Sequence, residues 1–237
     1  MDIELDKNLI KNNFKKSLLT YEENALAQKE SAMKLISLIK GKSFENVLEI
    51  GSYSGFLTKL TVENINCKRY TALDTVEESE FAVRRINPNI KFINCDIEEF
   101  SSDEKFDLIL SNASLQWCAS LGNIVKKLKN NLSTNGLLAL SIFQKGNLSE
   151  IKDAFGVGLN YPDMREIRDI FSMNSVIVEL DKTLKFDNPL EILKHLKLTG
   201  VNSLKTPLSY TKIKEGLKIL EEKYDNKITY KSVIILD

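Results

Sequence analysis

The chain has 237 residues and balances 33 Lys and Arg against 33 Asp and Glu, so no global field draws it to nucleic acid or an anionic membrane. No apolar run approaches the roughly 18 residues of a spanning helix, and residues 1–6 are acidic and lack the basic start and apolar stretch of a signal peptide. Cys67, Cys95 and Cys118 show no metal-ligand spacing and His195 is the only histidine, so reduced thiols in a cytoplasmic protein without a zinc site are expected.

The chain then reads as alternating elements. Thr20-Tyr21-Glu22-Glu23 has the form of a capping box, predicting a helix that begins there. Its Ala32, Leu35, Ile36 and Ile39 share one face, and Gly41 ends it. Short apolar runs predict strands near 46–50, 69–74, 90–94 and 106–111, with helices near 55–65 and 76–86 between them. A further helix presents Leu121, Ile124, Val125, Leu128 and Leu132, and Asn135-Gly136 turns the chain into a fifth strand over 137–143. Alternation of this kind predicts an α/β fold with a doubly wound, mostly parallel sheet.

After residue 144 the rhythm changes. Helices near 147–155 and 163–172 precede a pair of strands at 176–180 and 183–186. A lysine-rich helix carrying Leu190, Leu193 and Leu196 follows, then one with Ile213, Leu217 and Leu220, and a last strand over 228–236. With neither repeat nor linker, residues 1–237 are expected to form a single domain, with about 1–41 and 188–224 as a helical cap.

The most informative segment is Asn46-Val-Leu-Glu-Ile-Gly-Ser-Tyr-Ser-Gly55, a strand running into a turn. Gly51 turns the backbone where a side chain would obstruct a ligand, and Gly55 opens the next helix. Glu49 is an odd charge for a buried strand unless a polar ligand or backbone N–H groups meet it. A dinucleotide site would want glycines also at positions 53 and 56, which are Tyr53 and Phe56. Asp74 ends the second strand 23 residues after Gly51, where a carboxylate can accept both hydroxyls of a ribose. The third strand delivers Asp96, and the fourth Ser111 and Asn112, to the same edge. One acid at such a place is more often a helix N-cap; four strands ending in polar residues make a site.

The segment 49–55 is similar to the E/D-x-G-x-G-x-G of class I S-adenosylmethionine-dependent methyltransferases, with Tyr53 replacing the middle glycine. Three further segments sharpen the likeness: Phe14-x-x-Ser17-x-x-x-Tyr21 with Ala25-x-x-Gln28, Ser111-Asn-Ala-Ser-Leu-Gln-Trp117, and Leu193-Lys-His-Leu-Lys-Leu-Thr-Gly-Val-Asn202. Together they closely resemble the malonyl-[acyl-carrier protein] O-methyltransferases of biotin synthesis, from about residue 10 to the last strand. That resemblance implies a seven-stranded sheet, S-adenosylmethionine as cofactor, and methylation of the free carboxylate of a malonyl thioester. By position it places Glu49, Gly51 and Gly55 at the cofactor's methionine side and Asp74 at its ribose. Asp96 falls at the adenine amino group with Ile97 beside the ring, Ser111 falls within the same cofactor edge, and Tyr21 and Gln28 close over the cofactor. It also implies an acyl carrier protein as partner.

A carboxylate is ionised at neutral pH, so its methylation needs positioning and desolvation, not a base. Neutral donors suit that work, and Tyr21, Asn112, Gln116 and the Trp117 indole N–H are candidates. Trp117 could equally be a core aromatic covering the cofactor. His195 is either a helix-face residue or a donor to the carboxylate or thioester, with Thr199 and Asn202 near the cap's inner wall. Residues 182–218 hold eight lysines, Lys194 and Lys205 among them, against Asp187, Glu191 and Glu215, a basic rim suited to an acidic carrier. Two other functions are compatible with these residues: methylation of a small free acid of the trans-aconitate kind, and non-catalytic nucleotide binding on the same fold.

Overall fold

The computed structural model describes residues 5–201 and 208–237; Asn202 and Lys205 lie outside them. Helices α1 (Lys7–Asn24) and α2 (Leu26–Ile39) lead into β1 (Ser43–Ile50), α3 (Phe56–Asn64), β2 (Asn66–Asp74), α4 (Ser79–Ile86), β3 (Lys91–Asn94) and β4 (Phe106–Asn112). Then come α5 (Leu121–Asn131), β5 (Leu132–Phe143), α6 (Ser149–Phe155), α7 (Met164–Ile170), β6 (Val176–Lys185), α8 (Pro189–Leu198), α9 (Tyr210–Glu222) and β7 (Lys227–Leu236). The strands form one seven-stranded sheet in the order β3-β2-β1-β4-β5-β7-β6. The pairs from β3 to β5 are parallel, and β7 runs antiparallel to both β5 and β6. Among the described residues, no helix is long and apolar enough to cross a membrane.

Strand parity builds two cores. Leu48, Ile50, Leu73, Ile109, Leu138 and Leu140 face α5 and α7. Val47, Tyr70, Ala72, Leu108, Leu110 and Ala139 face α2, α3 and α4. A third cluster joins α6, α8 and α9 to the start of β7 around Phe155, Ile192, Leu196, Leu220 and Tyr230.

Four sequence expectations need correction. Residues 26–39, expected in the cap, form α2, which packs on the sheet through Ala32, Leu35, Ile36 and Ile39. Leu132 is not on the α5 face and Asn135-Gly136 is not a turn ahead of the strand, because β5 begins at Leu132 and runs through them. Thr20 starts no helix: it lies inside α1, whose N-cap is Asp6, accepting from the N–H groups of Asn8 and Leu9. The Thr20 hydroxyl instead donates back to Ser17 O (3.1 Å) and across to Leu198 O (3.0 Å), a use threonine makes of its hydroxyl inside helices. The break between the two helices falls at Ala25. Likewise 176–186 is not a pair of strands. Asp181 and Lys182, which read as a turn, sit in register opposite Lys231 and Tyr230 within an unbroken β6. An edge strand with one solvated face tolerates such charges, and Lys182 pairs there with Glu30 at 2.8 Å.

Glu49 shares the parity of Val47, so it points toward α3. One carboxylate oxygen accepts from the hydroxyls of Thr58 (2.6 Å) and Tyr70 (2.7 Å), and the other has no protein partner. Burial raises its pKa to about 7, against the pull of those two hydroxyl donors. The folded chain therefore retains a proton that the unfolded chain releases near pH 4.5, and this group's contribution to stability falls as pH rises toward 7. Glu49→Gln removes that dependence: relative to the parent, urea unfolding should show it gaining roughly 2–3 kcal/mol between pH 5 and pH 8. An unchanged difference at the two pH values would mean Glu49 titrates normally.

Candidate active site

At the C-terminal ends of β1, β2 and β4 the sheet reverses direction, and a cavity of about 380 Å3 opens there. Gly51 forms its floor with φ +75°, and a Cβ on it would lie 2.3 Å from Ser114 Oγ. Only glycine fits. Beside it, Asp74 accepts the backbone N–H of Tyr53 (2.9 Å) and of Val76 (2.8 Å), one on each oxygen. Burial lifts the Asp74 pKa to about 6 despite those bonds.

Tyr53, at φ +39°, lines the cavity but turns its hydroxyl up to α1. It donates to Phe14 O at 2.7 Å and lies 3.0 Å from Ser17 Oγ. Its ring meets Phe14 and Tyr21 edge-on, with centroids 5.2 and 4.7 Å apart. The residue in the middle glycine's place thus fastens a roof. The same helix lays Lys7, Lys11 and Phe14 along the cavity, and Lys7 pairs with Asp96 at 3.0 Å. These three fall at i, i+4 and i+7, a spacing visible in the sequence once the helix is known to begin at Asp6.

Of the expected cofactor residues, Gly51, Asp74, Asp96 and Ile97 meet on this cavity. Glu49, Gly55 and Ser111 do not line it. Gly55 packs α3 against Ile86 of α4, and the Ser111 hydroxyl donates to Ile50 O at 2.9 Å, tying β4 to β1. Asn112 reaches the cavity wall with its amide committed to α2: Oδ1 accepts from Ser31 Oγ (2.8 Å) and Nδ2 donates to Gln28 O (2.9 Å).

A second, smaller cavity of about 20 Å3 adjoins the first, and Phe14, Tyr21, Ala113 and Trp117 line both. It gathers Tyr21, Gln116 and Trp117, with Thr199 on its wall, and it holds Gln28, which was expected over the cofactor but does not line the first cavity. It also gathers Asn147, Tyr161 and Tyr230, which sequence reasoning missed because three distant segments contribute one residue each. His195 lines neither cavity. It sits behind Tyr230 with Nε2 at 2.9 Å from the phenol oxygen, and burial lowers its pKa to about 4. It is therefore neutral from pH 6 to 8.

The first cavity suits a nucleoside bearing a charged tail: a glycine floor without room for a Cβ, and two carboxylates at the ends of adjacent strands with Ile97 beside them. Residues 48–140 match the family model described as "Methyltransferase domain". A methyltransferase structure from Bacillus halodurans superposes with a TM-score of 0.65 at 14% identity, over 86% of this chain and 96% of that one. One from Thiobacillus denitrificans in complex with S-adenosyl-L-homocysteine superposes with a TM-score of 0.53 at 15% identity, over 88% and 90%. The fold is that of the class I methyltransferases, and residues 48–140 form a methyltransferase domain within it.

Among curated relatives, the malonyl-[acyl-carrier protein] O-methyltransferase of Calditerrivibrio nitroreducens is 38% identical over 82% of this chain and 80% of its own. That of Chlorobium luteolum is 34% identical over 84% and 81%. The chain belongs to the malonyl-[acyl-carrier protein] O-methyltransferase family.

Asp74 is the residue the resemblance assigns to the ribose, and its position at the cavity allows a direct test. Asp74→Ala should weaken S-adenosylhomocysteine binding in calorimetry by about 100-fold, as charge-assisted bonds contribute roughly 1.5–3 kcal/mol each. NAD should not bind. Equal affinities in parent and variant would remove Asp74 from the cofactor site.

Proposed function

We propose that the chain methylates the free carboxylate of a malonyl thioester carried on the phosphopantetheine arm of an acyl carrier protein, the reaction the family resemblance places in biotin synthesis. The observation that carries this reading is the second cavity: an apolar and aromatic wall set with uncharged polar groups, no charged side chain among its described residues, and Tyr21 and Trp117 shared with the first cavity.

S-adenosylmethionine, held by Gly51, Asp74, Asp96 and Ile97, supplies an electrophilic methyl group on a sulfonium. The protein's task is to bring a desolvated carboxylate to it, and proximity of this kind can be worth roughly 7–11 kcal/mol. Phe14 and Tyr53 close the roof against water. Gln116 donates to Ala113 O at 2.7 Å, which stiffens the wall the two cavities share. Trp117, whose indole N–H has no protein partner, and Tyr21 line both cavities, so each is a candidate donor to the carboxylate. No side chain need take a proton, because the carboxylate is already ionised. His195 acts on Tyr230, one layer behind the chemistry. Helices α1, α8 and α9 form the cap in this reading. Lys194, Lys197, Lys212 and Lys214 of α8 and α9 are all exposed and would meet an acidic carrier.

The test is incubation with labelled S-adenosylmethionine and malonyl-carrier, malonyl-CoA, malonate or trans-aconitate. A methyl ester on the malonyl thioesters is expected, and one on the free acids alone would overturn the reading. At saturating cofactor the single-turnover rate should be flat from pH 6 to 8 in the parent and, at lower amplitude, in His195→Gln. A rise with pH that disappears in the variant would make His195 a base. Lys194→Glu with Lys214→Glu should lower kcat/KM for malonyl-carrier and spare malonyl-CoA, and added salt should mimic the double variant. Equal losses on both substrates would put carrier docking elsewhere.

A further inference from the structure

Four buried side-chain atoms of second-cavity residues make no hydrogen bond of ordinary length to the protein: Trp117 Nε1, Gln28 Oε1, Gln116 Oε1 and Asn147 Nδ2, the last facing the Tyr161 hydroxyl closely enough to counter the rise that burial gives that phenol's pKa. Buried polar atoms are normally hydrogen-bonded, so a group of orphans around one small cavity marks a place prepared for a ligand. Two of the four donate and two accept.

Their orientations are fixed by what their other ends do. Asn147 Oδ1 accepts the backbone N–H of Lys231 at 3.0 Å, so the amide cannot turn over; Nδ2 faces the Tyr161 hydroxyl with one of its two hydrogens and has the other to present. Gln116 is held the opposite way: its Nε2 is committed to Ala113 O, leaving a carbonyl oxygen. Trp117 has only an N–H to offer. The cavity's volume exceeds the ~10–15 Å3 that one water needs, so it can take the end of a small polar group.

Resting on the acceptor reading above, we infer that Asn147 Nδ2 and Trp117 Nε1 form an uncharged two-point anchor for the malonyl carboxylate, one N–H to each oxygen. Trp117 lines both cavities and Asn147 only the second. The oxygen held by Trp117 is therefore the one nearer the cofactor cavity, the attacking oxygen, and Asn147 holds the spectator. The glutamine carbonyls repel an anion and suit the amide N–H groups of the arm. Among the described residues neither Lys nor Arg lines the cavity, so no ion pair competes for the nucleophile's charge.

Trp117 is the only tryptophan, so its emission reports this site alone. With S-adenosylhomocysteine present, malonyl-pantetheine should shift that emission and bind at least about tenfold more tightly than acetyl-pantetheine, which lacks the carboxylate. Asn147→Asp keeps an acceptor for the Lys231 N–H but puts a carboxylate where the donor was. It should raise the malonyl-pantetheine Kd by about 30-fold or more, while acetyl-pantetheine and S-adenosylhomocysteine change by less than about twofold. Asn147→Ser, which retains a short donor, should fall between the parent and Asn147→Asp, and it carries the test if the Asn147→Asp variant does not fold.

Parent-like malonyl-pantetheine affinity in the folded variants, or equal loss for both thioesters, would overturn the anchor. So would a parent that does not distinguish malonyl from acetyl. A parent that binds malonyl-pantetheine but forms no methyl ester on any malonyl thioester would instead overturn the proposed function, and the two failures are read separately.

Discussion

The Asp74 carboxylate, sunk at the tip of β2, holds the backbone N–H of Tyr53 at one oxygen and that of Val76 at the other. Much of the site follows from that clamp. It fixes the turn after β1, and Tyr53 keeps a left-handed conformation that a bulky residue rarely adopts. From there the phenol reaches α1. One buried acid thus sets the floor of the cofactor cavity and, through Tyr53, the height of its roof.

The roof is fastened at three places. Lys7 pairs with Asp96 and Glu98 near the β3 edge. Tyr53 holds Phe14 and Ser17 in the middle. Thr20 bonds Leu198 O at the end of α8. Gly200 completes the last contact, since a Cβ there would come within 2.8 Å of Ser17 Oγ and 2.9 Å of the Phe14 ring. The first fastening is half exposed and weakened by salt; the other two are buried or partly buried and largely insensitive to it.

The sheet was legible in the sequence because each strand announced itself by an apolar run, and a parallel sheet covered on both faces demands such runs. The first helix was less legible. Its start rests on one capping acid, Asp6, and its buried face is thin, with Ile10 and Ser17 alone fully covered. The site divided in the same way. Gly51, Asp74 and Asp96 stand at strand ends, where topology gathers ligands, and could be read in advance. Glu49 is one residue from Ile50, and that single step of parity sends it through the sheet to Thr58 and Tyr70. Asn147, Tyr161 and Tyr230 carry no local pattern, since only tertiary packing brings a turn, a loop and the first half of β7 to one point.

Phe14, Tyr21, Ala113 and Trp117 belong to the walls of both cavities. Two ligands that share a wall are not independent. Any adjustment of those rings made by a ligand in one cavity alters the other, and the converse holds with the same free energy. Were the two cavities to hold the proposed cofactor and acyl group, coupling between them would run through these four side chains. Its sign, favouring or opposing the ternary complex, is set by how those rings repack, with no long-range transmission through the fold.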